Sequence, residues 1–251
     1  VKNLHTFSIG VRNSPDLENA RMVADHIKSE HHEVVVDFDQ IVSIIPDVIY
    51  HLESFDAFLV RSSIINFIMA GLCSNFVEVV YSGECSDELF GGYEYLKKIE
   101  LSALADELFD IIGRLHNTAL QRVDRSASSH GLVIQIPFAN PEVVDYALKI
   151  PAKFKIQKTI EKWILRKAFN GMLPENILNR TKAKFWEGAG IGETILRYAE
   201  KQISDSEFQK EYKLQNGWEL VSKEELFYYR TFREKFDELQ NLSWIGRTKH
   251  I

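Results

Sequence analysis

The sequence predicts an α/β fold, a parallel sheet with flanking helices, followed by a mostly helical second half. Three observations predict it. Up to about residue 93, apolar runs of strand length alternate with longer stretches of helical period in the order β-α-β-α-α-β, the pattern of parallel strands joined by crossover helices. After Tyr93 strand signals nearly stop. Between them, Val77 to Tyr93 (VEVVYSGECSDELFGGY) has the make-up of a site at the end of a buried strand in an open sheet. A valine-rich run leads into Ser82-Gly83, then the carboxylates Glu84, Asp87 and Glu88, then Gly91-Gly92.

In chain order, Leu4 to Val11 reads as the first strand. Ser14-Pro15-Asp16 reads as a helix start: Ser as N-cap, Pro at the first helical position, an acid in the first turn. Leu17, Ala20, Val23, Ala24 and Ile27 follow at helical spacing. His31-His32-Glu33 leads into a second strand at Val34 to Val36. Adjacent residues of a strand face opposite ways, so this His pair reads as a polar strand entry rather than a metal site. Phe38 to Glu53 is amphipathic, with Pro46 implying a kink or two shorter helices. Ser54 to Arg61 reads as a connection, Ile64 to Cys73 as a buried helix and Val77 to Tyr81 as the third, buried strand. Leu96 to Gln121, Pro141 to Leu148, Thr159 to Phe169 and Pro174 to Arg180 are helical in pattern, with a short β-like run at Leu132 to Phe138. Thr181 to Gly192 reads as a loop, and Glu193 to Gln240 as helical and charged. The composition shift near Tyr93 divides the chain into an α/β part, about 1–93, and a helical part, about 94–251; the two can share a core.

A length of 251 residues with 45% apolar and 26% charged residues supports a sizeable core. A net charge of −6 argues against non-specific nucleic-acid binding but not against a nucleotide held through a metal. Cys73 and Cys85 form neither a disulfide framework nor a CxxC site and suit a reducing, cytoplasmic compartment. No run of about 18 apolar residues is present, so no membrane span is expected. The chain starts at a Val that enters a strand almost at once, as a piece of a longer chain would.

Carboxylates after a strand can hold a hard cation such as Mg2+, which in turn holds phosphate oxygens. The plainer alternative is a helix with an acidic first turn matched to its dipole; it accounts for Asp87 and Glu88 but less well for Glu84 and the paired glycines. Arg61, Arg125, Lys162, Arg166, Lys182 and Lys184 are basic candidates far apart in the chain. GxxxxGK[ST], GxGxxG, GxSxG and HExxH are all absent. The residues alone reach as far as an α/β protein able to handle a Mg-nucleotide.

The string SGECSDELFGGY closely resembles SGEGSDExFGGY of the glutamine-hydrolysing asparagine synthetases. LHTFSIGV, SPDL with its downstream HHE, LESFDAFLVRSS, DRSASSHGLVIQIPF, EKWILRKAF and LPENILNRTKAKF resemble further family segments in the same order, so the resemblance covers almost the whole chain. The part resembled is the C-terminal synthetase domain of the PP-loop ATP pyrophosphatase type, an adenine nucleotide α-hydrolase-like fold.

The resemblance implies a reaction in which aspartate and Mg-ATP give β-aspartyl-AMP and pyrophosphate, and ammonia from glutamine displaces AMP. By match, Ile9 meets adenosine through its backbone, and Ser82 and Gly83 line the nucleotide site. Glu84 sits at the acyl-adenylate, Asp87 holds Mg2+ and pyrophosphate with Glu88 nearby, Lys162 offsets developing charge, and Arg61 and Lys182 flank the site. Expected partners are aspartate, ATP and ammonia or glutamine, with a homodimer considered and neither nucleic acid nor membrane involved. The sequence departs from the family in lacking the SGGLDS pyrophosphate loop before LHTFSIG and the N-terminal glutaminase domain. Cys85 stands where the family has Gly, and Val133, Gln135 and Asn140 where many members have Glu, Arg and Asp. The chain on its own is therefore expected not to make asparagine. Two other readings are a degenerate nucleotide- or partner-binding domain and another amide-forming relative such as a β-lactam synthetase, against which Val133 counts.

Overall fold

A parallel pair of strands, β1 (His5–Gly10) and β2 (Glu30–Val35), opens the chain, joined by helix α1 (Pro15–Ile27). The computed structural model describes residues 3–180, 185–189, 192–237, 239 and 241–249. In the register His5 faces Glu30 and Gly10 faces Val35. Ser14 has the extended backbone of an N-cap, as its sequence position predicts, but its hydroxyl makes no capping bond. It is packed against Gly10, where a Cβ would overlap Ser14 Oγ. The second strand starts earlier than the sequence suggests, so His31 and His32 lie within it rather than at its entry.

Pro46 has the effect its chemistry requires. The amphipathic stretch splits at Ile44 into α2 (Phe38–Ser43), closed by a capping box between Asp37 and Gln40, and α3 (Ile45–Leu52) with Pro46 in its first turn. The expected connection up to Arg61 is shorter than predicted. Asp56 accepts the Leu59 N–H at 2.9 Å, and α4 (Ala57–Cys73) starts directly behind it, which puts Arg61 inside the helix.

β3 (Val79–Tyr81) pairs in parallel with β4 (Val133–Gln135), which is reached through α5 (Ser86–Phe90), α6 (Leu101–Gly113) and α7 (Ala119–Ser128). The α/β class holds, but the parallel ladders are two separate pairs rather than one sheet. Aromatic rings stand near the start of β1 and β3, with the Phe7 and Phe76 centroids 6.0 Å apart, and Phe7, Val77 and Val80 pack against one buried cluster of Ala70, Cys73, Ala127 and Leu132. β3 is also not the buried strand predicted: Val79 and Tyr81 are exposed, and only Val80 between them is partly buried against the neighbouring apolar cluster.

The rest is helical: α8 (Pro141–Lys149), α9 (Ala152–Lys155), α10 (Trp163–Ala168), α11 (Glu175–Leu178), α12 (Phe185–Gly188), α13 (Gly192–Gln202), α14 (Asp205–Glu211) and α15 (Lys223–Lys235). Among the described residues no single helix is long and apolar enough to cross a membrane. One apolar cluster runs through both halves of the chain, from Ile9, Ile45, Phe55 and Ile64 to Leu226, Tyr228 and Phe232 of α15. Burying each such side chain is worth roughly 1.5–3 kcal/mol.

A buried ion pair fixes α15 to α4 within that core. Arg61 Nε donates to Glu224 Oε1 at 2.6 Å, its Nη2 pairs with the other oxygen, and Tyr228 Oη donates to Glu224 at 2.8 Å. Glu224 is fully buried, so removing Arg61 leaves a charge without its counter-ion. Arg61→Met should cost about 3–5 kcal/mol in urea unfolding, and adding Glu224→Met should recover part of that loss.

After α15 the chain returns across the molecule. Arg247 donates to Glu225 at 2.7 Å and stacks on Trp218, Thr248 donates to Asp56 through its N–H and hydroxyl, and Lys249 pairs with Glu107. Burial pushes Glu225 up from its ordinary 4.5 to about 7, with Asp56 adding to the rise and Arg247 opposing it. The folded state therefore holds this proton more tightly than the unfolded chain. The stability Glu225 contributes is full below about 4.5 and is lost as pH rises through about 7. Glu225→Gln should flatten the fall in the urea midpoint between about pH 5 and about pH 8; an unchanged slope would assign that fall to other groups.

Candidate functional site

Behind the C-terminal end of β3 lies a cleft of about 800 Å³. One wall is Ser82, Gly83 and Glu84 from the turn after β3, with Asp87 and Glu88 from α5. The facing walls bring Ser62 and Asn66 of α4, Arg122 of α7, Lys162 and Arg166 around the start of α10, and Arg247 to Lys249 of the returning tail. Residues far apart in sequence thus meet: the acids of one segment and the bases of three others.

The turn into α5 depends on unusual backbone. Cys85 has φ 73°, in the left-handed region that favours glycine, which explains why a Gly suits this position and why Cys85 is a tight substitute. Its thiol packs with Leu89, Phe90 and Leu115, and burial pushes it up to about 12, so it stays protonated. Lys162 also has a positive φ, 52°, directly before α10. Its Nζ lies 2.9 Å from Ser86 Oγ and 3.0 Å from Asp87 Oδ1. The paired glycines allow this approach: Gly91 has φ 70°, and a Cβ at Gly92 would overlap both Asp87 Oδ1 and Lys162 Cε.

The three carboxylates have different surroundings. Glu84 accepts from Arg122 Nη2 at 2.8 Å, and Arg122 is held in turn by Asn66. Glu88 is buried and accepts the Tyr93 hydroxyl. Burial, reinforced by Asp87, raises its pKa, and burial beside Glu88 drives the Tyr93 phenol well above its ordinary value. Carboxylate oxygens suit Mg2+, and Asp87 lines the cleft with its Oδ1 held by Lys162. Glu88 fits less readily, because its carboxylate is engaged by Tyr93 and burial favours its protonated form.

Ser82, Gly83, Glu84, Asp87, Glu88 and Lys162 all line the cleft; Ile9 and Arg61 do not. Ile9 is buried in β1, where it faces Val34, and Arg61 is buried against Glu224, with its guanidinium 5.2 Å from the ring of Phe58, a residue of the cleft wall. Lys182 and Lys184 lie outside the described residues. Arg125 pairs with Glu53 away from the cleft, whereas Arg122, three residues earlier, enters it. A helical wheel contains that signal, because Arg122 shares the buried face of α7 with Val123, Ser126 and Ala127. Asp16, legible only as a first-turn acid, also reaches the cleft and pairs with Arg180. Val133 and Gln135 sit on β4, and Asn140 caps α8 by accepting the Glu142 N–H at 2.9 Å; none of the three lines the cleft.

Carboxylates at the end of a parallel strand, faced by Lys162, Arg122 and Arg166, define an α/β domain suited to a polyanionic substrate and a hard cation. The sequence profile of the asparagine synthase family matches residues 1–111 and 100–250, and the chain belongs to that family. It is 35% identical to asparagine synthetase [glutamine-hydrolyzing] 3 of Arabidopsis thaliana over 93% of this chain and 42% of that protein. To the asparagine synthetase [glutamine-hydrolyzing] of Gallus gallus it is 36% identical, over 92% of this chain and 43% of the relative. Asparagine synthetase [glutamine-hydrolyzing] 2 of Oryza sativa subsp. japonica gives 35% over 93% and 41%. The chain spans about two fifths of the length of these relatives.

Gly92 makes the local geometry testable. Gly92→Ala should separate Lys162 from Asp87 and cost about 1–3 kcal/mol in urea unfolding, the usual cost of overpacking. A fully stable Gly92→Ala chain would show that the close approach is not required.

Proposed function

We propose that this chain is the synthetase part, acting as one domain over 1–251, of a longer enzyme that makes asparagine from aspartate with ATP and ammonia derived from glutamine. The observation that carries this reading is the cleft in which Glu84, Asp87 and Lys162 meet in a chain of the asparagine synthase family. ATP would enter along Ser82 and Gly83, with the Ile9 backbone at the adenosine. Its α-phosphate would be attacked by the aspartate β-carboxylate, giving β-aspartyl-AMP and pyrophosphate. Ammonia would then add to the acyl carbon and expel AMP.

Within that scheme Lys162 offsets charge that builds on the phosphate, the change in charge to which a preorganised cation responds best. Glu84, held by Arg122, faces the acyl-adenylate. Arg122 acts as the positioning residue for Glu84. Asp87, with Glu88 behind it, would hold Mg2+, which when bound supplies further positive charge at the phosphate oxygens. Lys182 and Arg61 are assigned to the flanks of the site, Arg61 through its hold on α15. The glutaminase part would belong to the rest of the longer protein, as would any pyrophosphate loop. Free buried Cys73 and Cys85 suit a cytoplasmic location.

Aspartate-dependent pyrophosphate release by the longer protein tests this reading. Glu84→Gln and Lys162→Met should each lower it by about 10²-fold or more, the scale for removing an electrostatic stabiliser. ATP–pyrophosphate exchange should be absent from the 251-residue chain by itself. Release that does not depend on aspartate would sink the assignment and favour a nucleotide-binding domain without this chemistry.

A further inference from the structure

We propose that His5, His32 and Glu30 form a binding site for a borderline divalent ion of the Zn2+ type, on the β1–β2 pair and separate from the cleft. His5 and Glu30 are directly opposed in the parallel register, and His32 is two residues further along β2 on the same face as Glu30. His5 Nδ1 and His32 Nε2 are 2.9 Å apart, and the Glu30 carboxylate lies 3.9 Å from the first and 3.7 Å from the second. Among the described residues this is the trio of potential ligands whose donor atoms all fall within 4.8 Å of one another. Atoms so spaced can surround one ion at the roughly 2.0–2.2 Å of Zn–N and Zn–O bonds.

The ligand chemistry narrows the choice of ion. Two imidazoles and one carboxylate suit Zn2+ and its transition-metal neighbours, whereas Mg2+ wants oxygen throughout. Three protein ligands leave a position for water, as in exchangeable rather than closed sites. The two imidazoles are largely covered, with the Phe76 ring centroid 3.8 Å from that of His32, which dries one side of the site. The Glu30 side chain remains 61% exposed, so an ion has a way in. Binding needs a lone pair on each facing nitrogen. The proton now shared between them moves to the other nitrogen of its own ring, and no proton need be lost.

His31 marks the contrast. Its Nδ1 is bonded to Thr6 Oγ1 at 2.9 Å and its Nε2 to Ser8 Oγ at 3.0 Å, on the opposite face of the strand, so both ring nitrogens are engaged. The ion would clamp the first residues of the two strands, so its expected effect is on the stability of the β1–β2 pair.

Zn2+ titration by calorimetry, with millimolar Mg2+ present, tests the site. The chain should bind Zn2+ in a mode that both His5→Gln and His32→Gln remove or weaken at least about tenfold, while His31→Gln keeps it. Zn2+ should also raise the thermal midpoint of the parent chain and leave that of His32→Gln unmoved. If a substitution prevents folding, Co2+ on the unaltered chain decides the matter: a spectrum of nitrogen and oxygen ligation supports the site, and thiolate charge-transfer bands overturn it. Unchanged Zn2+ binding in both variants, or no binding by the parent, likewise overturns it.

Discussion

Lys162 Nζ and Asp87 Oδ1 lie 3.0 Å apart, although 75 positions separate them in the chain, and the cleft is arranged around that contact. It holds the start of α10 against the start of α5 and so sets bases opposite acids. Several local features exist to allow it. Gly92 has no side chain because Asp87 and Lys162 occupy the space a Cβ would need. Gly91, Cys85 and Lys162 take left-handed backbone, which costs energy for the two that are not glycine. Strain gathered at one place, in a turn joining a strand to a cleft, marks where packing elsewhere over-determines the geometry.

Two buried carboxylates reach different ends by the same physics. Glu224 is fully enclosed and matched by the Arg61 fork and the Tyr228 hydroxyl, so its burial locks α15 onto α4. Glu88 is enclosed with a phenol instead of a cation, so burial raises its pKa and favours its neutral form. The first arrangement is a structural tie. The second leaves a carboxyl group at the cleft whose charge depends on what arrives beside it. The tail adds a third element: Arg247, Thr248 and Lys249 fasten to Glu225, Asp56 and Glu107 and form part of the cleft wall. The wall thus depends on contacts formed by the last part of the chain with its first half.

The sequence and the structure part company in instructive places. Asp56 caps α4 ahead of the apolar stretch that made the helix recognisable, so the helix begins seven residues before its hydrophobic signal. Arg61, expected at the flank of the site, is tied to Glu224 in the core while its neighbours Ser62 and Asn66 line the cleft, a division of α4 that its apolar run does not state. β3 carries the valines of a buried strand and is exposed, since burial is decided by neighbours that an apolar run does not specify. The rule that adjacent strand residues diverge holds for His31 and His32, yet His32 meets His5 and Glu30 through the parallel register, which pattern reading along a single strand cannot see.

By itself, then, the sequence determined the α/β order of the first half, the break at Pro46, the acid-rich turn with its glycines and, through ordered motifs, the family. These are local matters: period, turn chemistry and residue type act over a few positions, where backbone sterics and capping dominate. Tertiary structure alone decided that Arg122 rather than Arg125 holds Glu84, that Arg61 serves Glu224, that the tail walls the cleft and that two imidazoles face one another across β1 and β2. Each of those is a contact between residues more than 20 positions apart. Such contacts follow from how whole faces pack and from which charges must be paired once buried, and no stretch of sequence states that on its own.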